Sequence, residues 1–240
     1  MRNLFFLSLS LLLLSSSLVV GQNYGYGGIK GEGEVVRGEF NLPSITGIEL
    51  AICGDVQLIP GASQKVVIEA QQNIMDNIRR EVNHGVWEIT FVKGVRDAKT
   101  VKIYITLPTI EYIALTGSGN VTATAPFPHS NTLDLSLTGS GNVRMEGQAE
   151  TTNMRLTGSG DVVMSGKTET LRIQITGSGN VSTKNLASTT CRIDISGSGD
   201  ADVQCNGALE VEISGSGNVH YLGKPTVKAN VIGSGDVEKL

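Results

Sequence analysis

This chain is short of aromatic rings, cysteine, histidine and basic charge, and each shortage removes a class of protein. Aromatics make up 5% of the 240 residues, which suits a thin core with little room for large rings. The cysteines, Cys53, Cys191 and Cys205, are too few and too scattered for a disulfide scaffold. No Cys-x-x-Cys pair is present to hold zinc. Cys191 and Cys205 could pair in an oxidising compartment, but their apolar settings favour buried free thiols. His84, His129 and His220 are dispersed along the chain. Lys and Arg total 19 against 23 Asp and Glu, a net charge of −4. No basic stripe interleaves with aromatics, so no nucleic acid partner is expected.

Signature loops are missing as well. There is no third glycine to complete G-x-G-x-x-G, no Walker lysine and no G-x-S-x-G elbow. Past the first 20 residues no second long apolar run occurs, so no transmembrane segment is expected in the mature chain.

That first run is informative. Met1-Arg2-Asn3 leads into an apolar stretch from Leu4 to Val20 broken only by serines, the pattern of a secretory signal peptide over residues 1–21. The small residue Gly21 permits cleavage before Gln22, and loss of Arg2 brings the net charge to −5. An uncleaved anchor is the alternative. Residues 22–33 are Gly-rich and polar and read as a flexible lead-in. From residue 34 to 116 short Val-, Ile- and Thr-rich segments (Ser44–Ile52, Lys65–Gln71, Val86–Val92, Thr100–Leu107) read as strands. Asn73–Arg80 reads as one helical turn.

Residues 117–240 carry Gly-Ser-Gly-(Asn/Asp) in seven copies starting at Gly117, Gly139, Gly158, Gly177, Gly197, Gly215 and Gly233. Cys53-Gly54-Asp55-Val56 reads as a degenerate early copy of the same motif. The seven starts lie 22, 19, 19, 20, 18 and 18 residues apart, a period that signals a solenoid of stacked units. Four and two residues before each motif, and one after it, stand apolar side chains of one parity: Leu135, Leu137 and Val143, for example. A strand turns one parity to one side, so these form a buried face. Strands at this spacing without helices exclude a βαβ fold and fit an all-β parallel β-helix of 18–22 residues per coil, less regular in its N-terminal half. Ala125–His129, with two prolines, reads as an outward loop.

Both glycines of each motif fall on the inward parity. They either narrow the cross-section or supply a positive φ at a corner. The fourth position, Asn120, Asn142, Asp161, Asn180, Asp200, Asn218 and Asp236, forms an outward structural ladder in which no two aspartates adjoin. A calcium-binding β-roll is the competing reading. No catalytic, cofactor-binding or metal residue is assigned. The outward carboxylates Asp134, Asp194 and Glu212 are the candidates if the rod carries a carbohydrate-processing enzyme, although charges of both signs surround them as on a solvated face.

The leader, the irregular strand-rich first half with Ile103–Pro108 (IYITLP), and the serial GSG(N/D)V coils resemble the head GIN domain family over about residues 35–237. Its members are described as putative auto-transporter adhesins of Bacteroidota. The resemblance implies a right-handed β-helical fold and export to the periplasm, outer membrane surface or beyond; the flat polar ladders themselves suit a non-catalytic role in binding a surface glycan or protein. The resemblance supplies no catalytic residues. Because only Val237–Leu240 come after the last motif, an end-on homo-oligomer through the C-terminal coil is also expected.

Overall fold

The computed structural model describes residues 28–240; the expected leader and most of the lead-in lie outside the described residues. The elements in chain order are β1 (Ile29–Lys30), β2 (Val35–Phe40), β3 (Gly47–Leu50), β4 (Asp55–Pro60), β5 (Lys65–Gln71), α1 (Gln72–Met75), β6 (Val82–Asn83), β7 (Val86–Ile89), β8 (Val95–Asp97), β9 (Lys102–Leu107) and β10 (Tyr112–Gly117). They continue with β11 (Asn120–Ala123), β12 (Phe127–Gly139), β13 (Asn142–Gly158), β14 (Asp161–Gly177), β15 (Asn180–Gly197), β16 (Ala201–Gly215), β17 (Val219–Leu222), β18 (Thr226–Gly233) and β19 (Val237–Lys239). Stacked parallel strands dominate, so the chain is a β-solenoid.

Each coil presents one face before the motif (face A), one after it (face B) and, in the longer coils, a third (face C). In-register pairing stacks like residues into columns. On face A, Trp87, Ile48, Ile113, Leu135, Met154, Ile173, Ile193 and Val211 succeed one another tier by tier. On face B, Ile103, Val56, Val121, Val143, Val162, Val181, Ala201 and Val219 do the same. All are buried, and β-branched side chains suit this pleated packing. Asp55 pairs with Asn120 and Val56 with Val121, so Cys53–Val56 is a copy of the motif in place as well as in sequence.

The first half departs from simple winding. The coil Gly47–Pro60 lies between the later coil Val86–Leu107 and the coil Tyr112–Ala123. The link from β4 to β5 is only residues 61–64, too short for a parallel crossover, so β5 runs antiparallel. It pairs with β9, which sits between it and β4, and β2 then pairs antiparallel with β5. These strands close the N-terminal end of the stack. The cap also holds large rings: Phe40 and Trp87 lie 6.4 Å apart, and the Trp87 indole N–H donates to the Arg79 carbonyl at 2.9 Å.

Two local expectations change. Residues 125–129 are not an outward loop: Phe127 opens β12, is buried, and pairs with Gly147. Face C begins here, and Pro128 sits on its first strand, where no ladder donor is needed. The helix is a single turn, Gln72–Met75, shorter than the stretch expected to be helical. At the other end β18 is exposed along its whole length, with Ile232 at 67%.

Candidate functional site

The motif divides its labour between its two glycines. The first takes a positive φ in every copy, from +116° at Gly117 to +137° at Gly215, which other residues resist. It is not inward as the parity suggested: Gly117 is exposed and its successors are half-buried, apart from the exposed Gly233. The second glycine is buried in six copies, Gly119, Gly141, Gly160, Gly179, Gly199 and Gly217, and half-buried at Gly235. A Cβ on Gly179 would collide with the Gly160 carbonyl and stand 2.9 Å from Leu156 Cδ2. The motif therefore makes a tight corner that stacks on itself. The N–H groups of Ser178 and Gly179 both donate to the Gly158 carbonyl, at 2.9 and 3.0 Å.

The fourth positions stand in register down the outside of the rod. Asn120 Nδ2 donates to Asp55 at 2.8 Å, Asn142 Nδ2 to Asn120 at 3.0 Å and Asn180 Nδ2 to Asp161 at 3.1 Å. Asn218 Nδ2 donates to Asp200 at 3.0 Å. A carboxylate cannot donate, so Asp200 and Asp236 instead bind the preceding asparagine through their backbone N–H, both at 3.1 Å. Every asparagine amide thus points at an oxygen on the tier before it. Among the described residues no three His, Cys, Asp or Glu side chains converge as a metal-binding group.

Asp194 and Glu212 lie on face A, both bound to Arg192, at 3.1 and 3.0 Å; Arg192 also reaches Glu210 at 2.7 Å, which Lys228 meets at 2.7 Å. Lys228 holds the Glu210 carboxyl below its ordinary range, and Glu212 and Asp194 hold the Arg192 guanidinium above its own. Asp134 accepts from Asn153 at 2.7 Å. Asp194 and Glu212 also border a shallow hollow of about 140 Å³ on face A, where Arg192 neutralises both. His220, on face B, meets Asp202 at 3.1 Å.

The cleft lies elsewhere, and coil length builds it. The coils of β13 and β14 keep the 19-residue spacing, whereas those on either side take 22 and 20. At the start of the 22-residue coil the extra residues emerge after Ala123, since Thr122 pairs with Arg144 and Phe127 already with Gly147. In the 20-residue coil the extra residue emerges at Lys184, between the pairs Val163–Ser182 and Ser165–Asn185. Two short tiers between two longer ones leave a hollow of about 500 Å³ on face B. Thr124 and Ala125 wall one end and Lys184 and Asn185 the other; Arg144, Glu146, Val163 and Ser165 lie between. A second hollow of about 360 Å³ continues it to the ladder residues Asn142, Asp161 and Asn180. Arg144 and Lys184 point outward without a carboxylate partner among the described residues, unlike Arg192 and Lys228. The lining mixes charged and polar side chains with apolar ones, Ala123, Ala125, Val163 and the edges of Met145 and Met164 among them, and holds no aromatic ring.

The ladder residues were legible in the sequence, but Arg144, Val163, Ser182 and Lys184 were not singled out. Their signal was present in the uneven spacing 22, 19, 19, 20.

Known proteins share this architecture. A family described as "Putative auto-transporter adhesin, head GIN domain" matches residues 45–225. Among proteins of curated function, none matches. A crystal structure of a putative adhesin from Bacteroides fragilis has 23% identity and a TM-score of 0.82, covering 89% of this chain and 100% of its own. A putative lipid binding protein from Parabacteroides distasonis has 20% identity and a TM-score of 0.76 with the same coverage, 89% and 100%. A putative adhesin from Parabacteroides merdae has 18% identity and a TM-score of 0.69, covering 88% and 98%. At these identities the likeness is one of fold. No helix among the described residues is long and apolar enough to cross a membrane.

Proposed function

The chain belongs to the head GIN domain family of putative auto-transporter adhesins, and from that premise we propose that it is an exported, non-catalytic solenoid whose face B hollow binds a glycan of the cell envelope or of a neighbouring surface. The single observation that carries the reading is the walled hollow between the two longer coils. Its volume is in the range of ligand sites, and it runs on into the second hollow, so a polymer strand can lie across the two short tiers between the walls. Arg144 and Lys184, neither of them in an ion pair among the described residues, and the Ser182 hydroxyl offer the donors and acceptors that sugar hydroxyls require. Without a ring to stack on a sugar, each site binds modestly, and adhesion rests on many copies acting together.

Binding is favoured over cleavage by the distribution of acids. Glycoside hydrolysis uses a pair of carboxyl groups across the scissile bond. Glu146 lines the larger hollow and Asp161 the smaller, where Asp161 is taken up in the ladder by the Asn180 amide, while Asp194 and Glu212 are held by Arg192 on another face. The leader pattern of residues 1–21 supports export to the periplasm, the outer membrane surface or beyond.

The test is retention of envelope polysaccharide on immobilised full chain. Retention should survive protease treatment of the polysaccharide and fall about tenfold or more in Arg144→Ala/Lys184→Ala, the loss of two charge-assisted contacts. Binding that is abolished by protease and indifferent to periodate makes the ligand a protein. Turnover of the polysaccharide, lost in Glu146→Gln, replaces the binding role with an enzymatic one.

A further inference from the structure

Two of the three cysteines meet in the core of the rod. Cys191 belongs to β15 and Cys205 to β16, adjacent tiers of the stack. Cys205 stands in register with Ser188, whose hydroxyl lies 2.8 Å from the Cys191 sulfur. Three side chains, Ser188, Cys191 and Cys205, therefore share one buried spot at the corner between face C and face A. Ser188 bridges the two tiers, against the Cys191 sulfur within its own strand and in register with Cys205 on the next. Both cysteines are buried, at 1% and 0% exposure. Cys53 is apart from them, exposed at the outer surface, 3.8 Å from the Ser118 hydroxyl.

The local backbone explains how residues 14 positions apart in sequence come together. β15 has an irregular register on β16 at this point: Ser188 pairs with Cys205, and Thr190 already with Ala208. β16 spends one residue more than β15 over that interval. The Cys205 sulfur lies 3.5 Å from the Thr189 carbonyl and 3.2 Å from the Ala208 carbonyl. From the sequence alone the apolar neighbours argued for two separate buried thiols; what brings them together is this change in register.

We propose that Cys191 and Cys205 are a modification site, closed to a disulfide that staples β15 to β16 when the chain folds in contact with a disulfide-bearing oxidant. The exchange balances in two displacements. The Cys205 thiolate attacks one sulfur of the oxidant disulfide, forming a mixed disulfide and releasing one oxidant thiolate. Cys191 then gives up its proton and attacks the Cys205 sulfur, forming the Cys191–Cys205 bond and releasing the second oxidant thiolate. The two protons end on the oxidant's sulfurs, and two electrons pass from the cysteines to it. In the stacked rod Cys191, close beside it, holds the Cys205 thiol below its ordinary range. Because both sulfurs are shielded in the closed rod, exchange precedes final stacking of the C-terminal coils.

The position gives the staple a purpose. The tier beyond β16 is β18, exposed along its whole length. Repeat stacks open from an end whose outer neighbour is missing, since each unit is held only by the units next to it. A covalent link between β15 and β16 stops that opening at the last well-buried pair of tiers.

The full chain is refolded with oxidised glutathione, with reduced glutathione as control, and alkylated under denaturing conditions before peptide mapping. The expected result is one alkylated cysteine, Cys53, and a linked peptide pair carrying Cys191 and Cys205. Reduction should lower the midpoint of thermal unfolding by about 6–12 °C, from the loop-closure effect for a loop of this size. Cys191→Ala/Cys205→Ala should lose that redox dependence, and Cys53→Ser should keep it. Three alkylatable cysteines after oxidative refolding, or linkage through Cys53, overturns the proposal. The mapping needs only the wild-type chain and is independent of glycan binding.

Discussion

Three consecutive residues of one motif, Gly177, Ser178 and Gly179, test whether the motif is a building element of the rod. Gly177 has φ of +119°, and a Cβ there would also run into the Gly158 backbone. Forcing an L side chain into such a conformation costs about 1–3 kcal/mol, and crowding a packed neighbour adds about 1–3 kcal/mol. Gly179 has no positive φ, but a Cβ there would meet the Gly160 carbonyl, with Leu156 Cδ2 at 2.9 Å. Neither obstacle is the free end of a flexible chain, so the crowding cost of about 1–3 kcal/mol stands, offset by about 0.4–1 kcal/mol from the stiffer unfolded chain. Ser178 is exposed between them and should tolerate alanine within about 0.5 kcal/mol. Gly177→Ala is therefore expected to cost about 2–5 kcal/mol and Gly179→Ala about 1–2 kcal/mol. At roughly 2–4 °C per kcal/mol, both are resolved in a thermal melt. Amide exchange at neighbouring tiers would show whether opening is local. Both glycine variants melting with the wild type, or Ser178→Ala costing as much as either, would refute the reasoning and return the motif to a ligand-binding role.

Other consequences are as specific. Asn180→Asp sets carboxylates at three successive tiers, with Asp161 and Asp200, and removes the amide donated to Asp161; a loss of about 1–2 kcal/mol is expected in urea unfolding. The Glu210 carboxyl is depressed by Lys228, so its stabilisation is present above the ordinary glutamate range and is lost as pH falls through the lowered folded-state value. Proteolysis at the β16–β18 tiers should accelerate in acid, and Glu210→Gln should flatten that dependence. Phe127→Ala empties the start of face C and should cost about 3–5 kcal/mol by chemical denaturation.

The regular coils were legible because their physics is local and repeated. A parity of apolar residues, checked across seven copies, fixes which way each strand faces, and pairing in register then stacks Leu135 on Met154 on Ile173. The degenerate copy at Cys53–Val56 could be read for the same reason. The order of the early coils could not. Nothing local distinguishes Gly47–Pro60 as a coil enclosed by a later one, since this depends on where β5 and β9 pair, more than 30 residues apart in sequence. Residues 125–129 misled because two prolines argue against a central strand but not against an edge, and Phe127 needed a buried partner in Gly147. The hollow was missed for a subtler reason. Each wall is an addition of one to three residues to a coil, visible as irregular spacing but without a characteristic residue type.

The motif builds the rod, and face B between the two longer coils is the proposed binding surface. Hydrogen exchange of the full chain with and without envelope polysaccharide tests it directly. Protection is expected at Thr122–Ala125, Arg144–Glu146, Val163–Ser165 and Ser182–Asn185, the segments that floor and wall the hollow. Protection confined to face A around Arg155, Gln174 and Asp194 would contradict it.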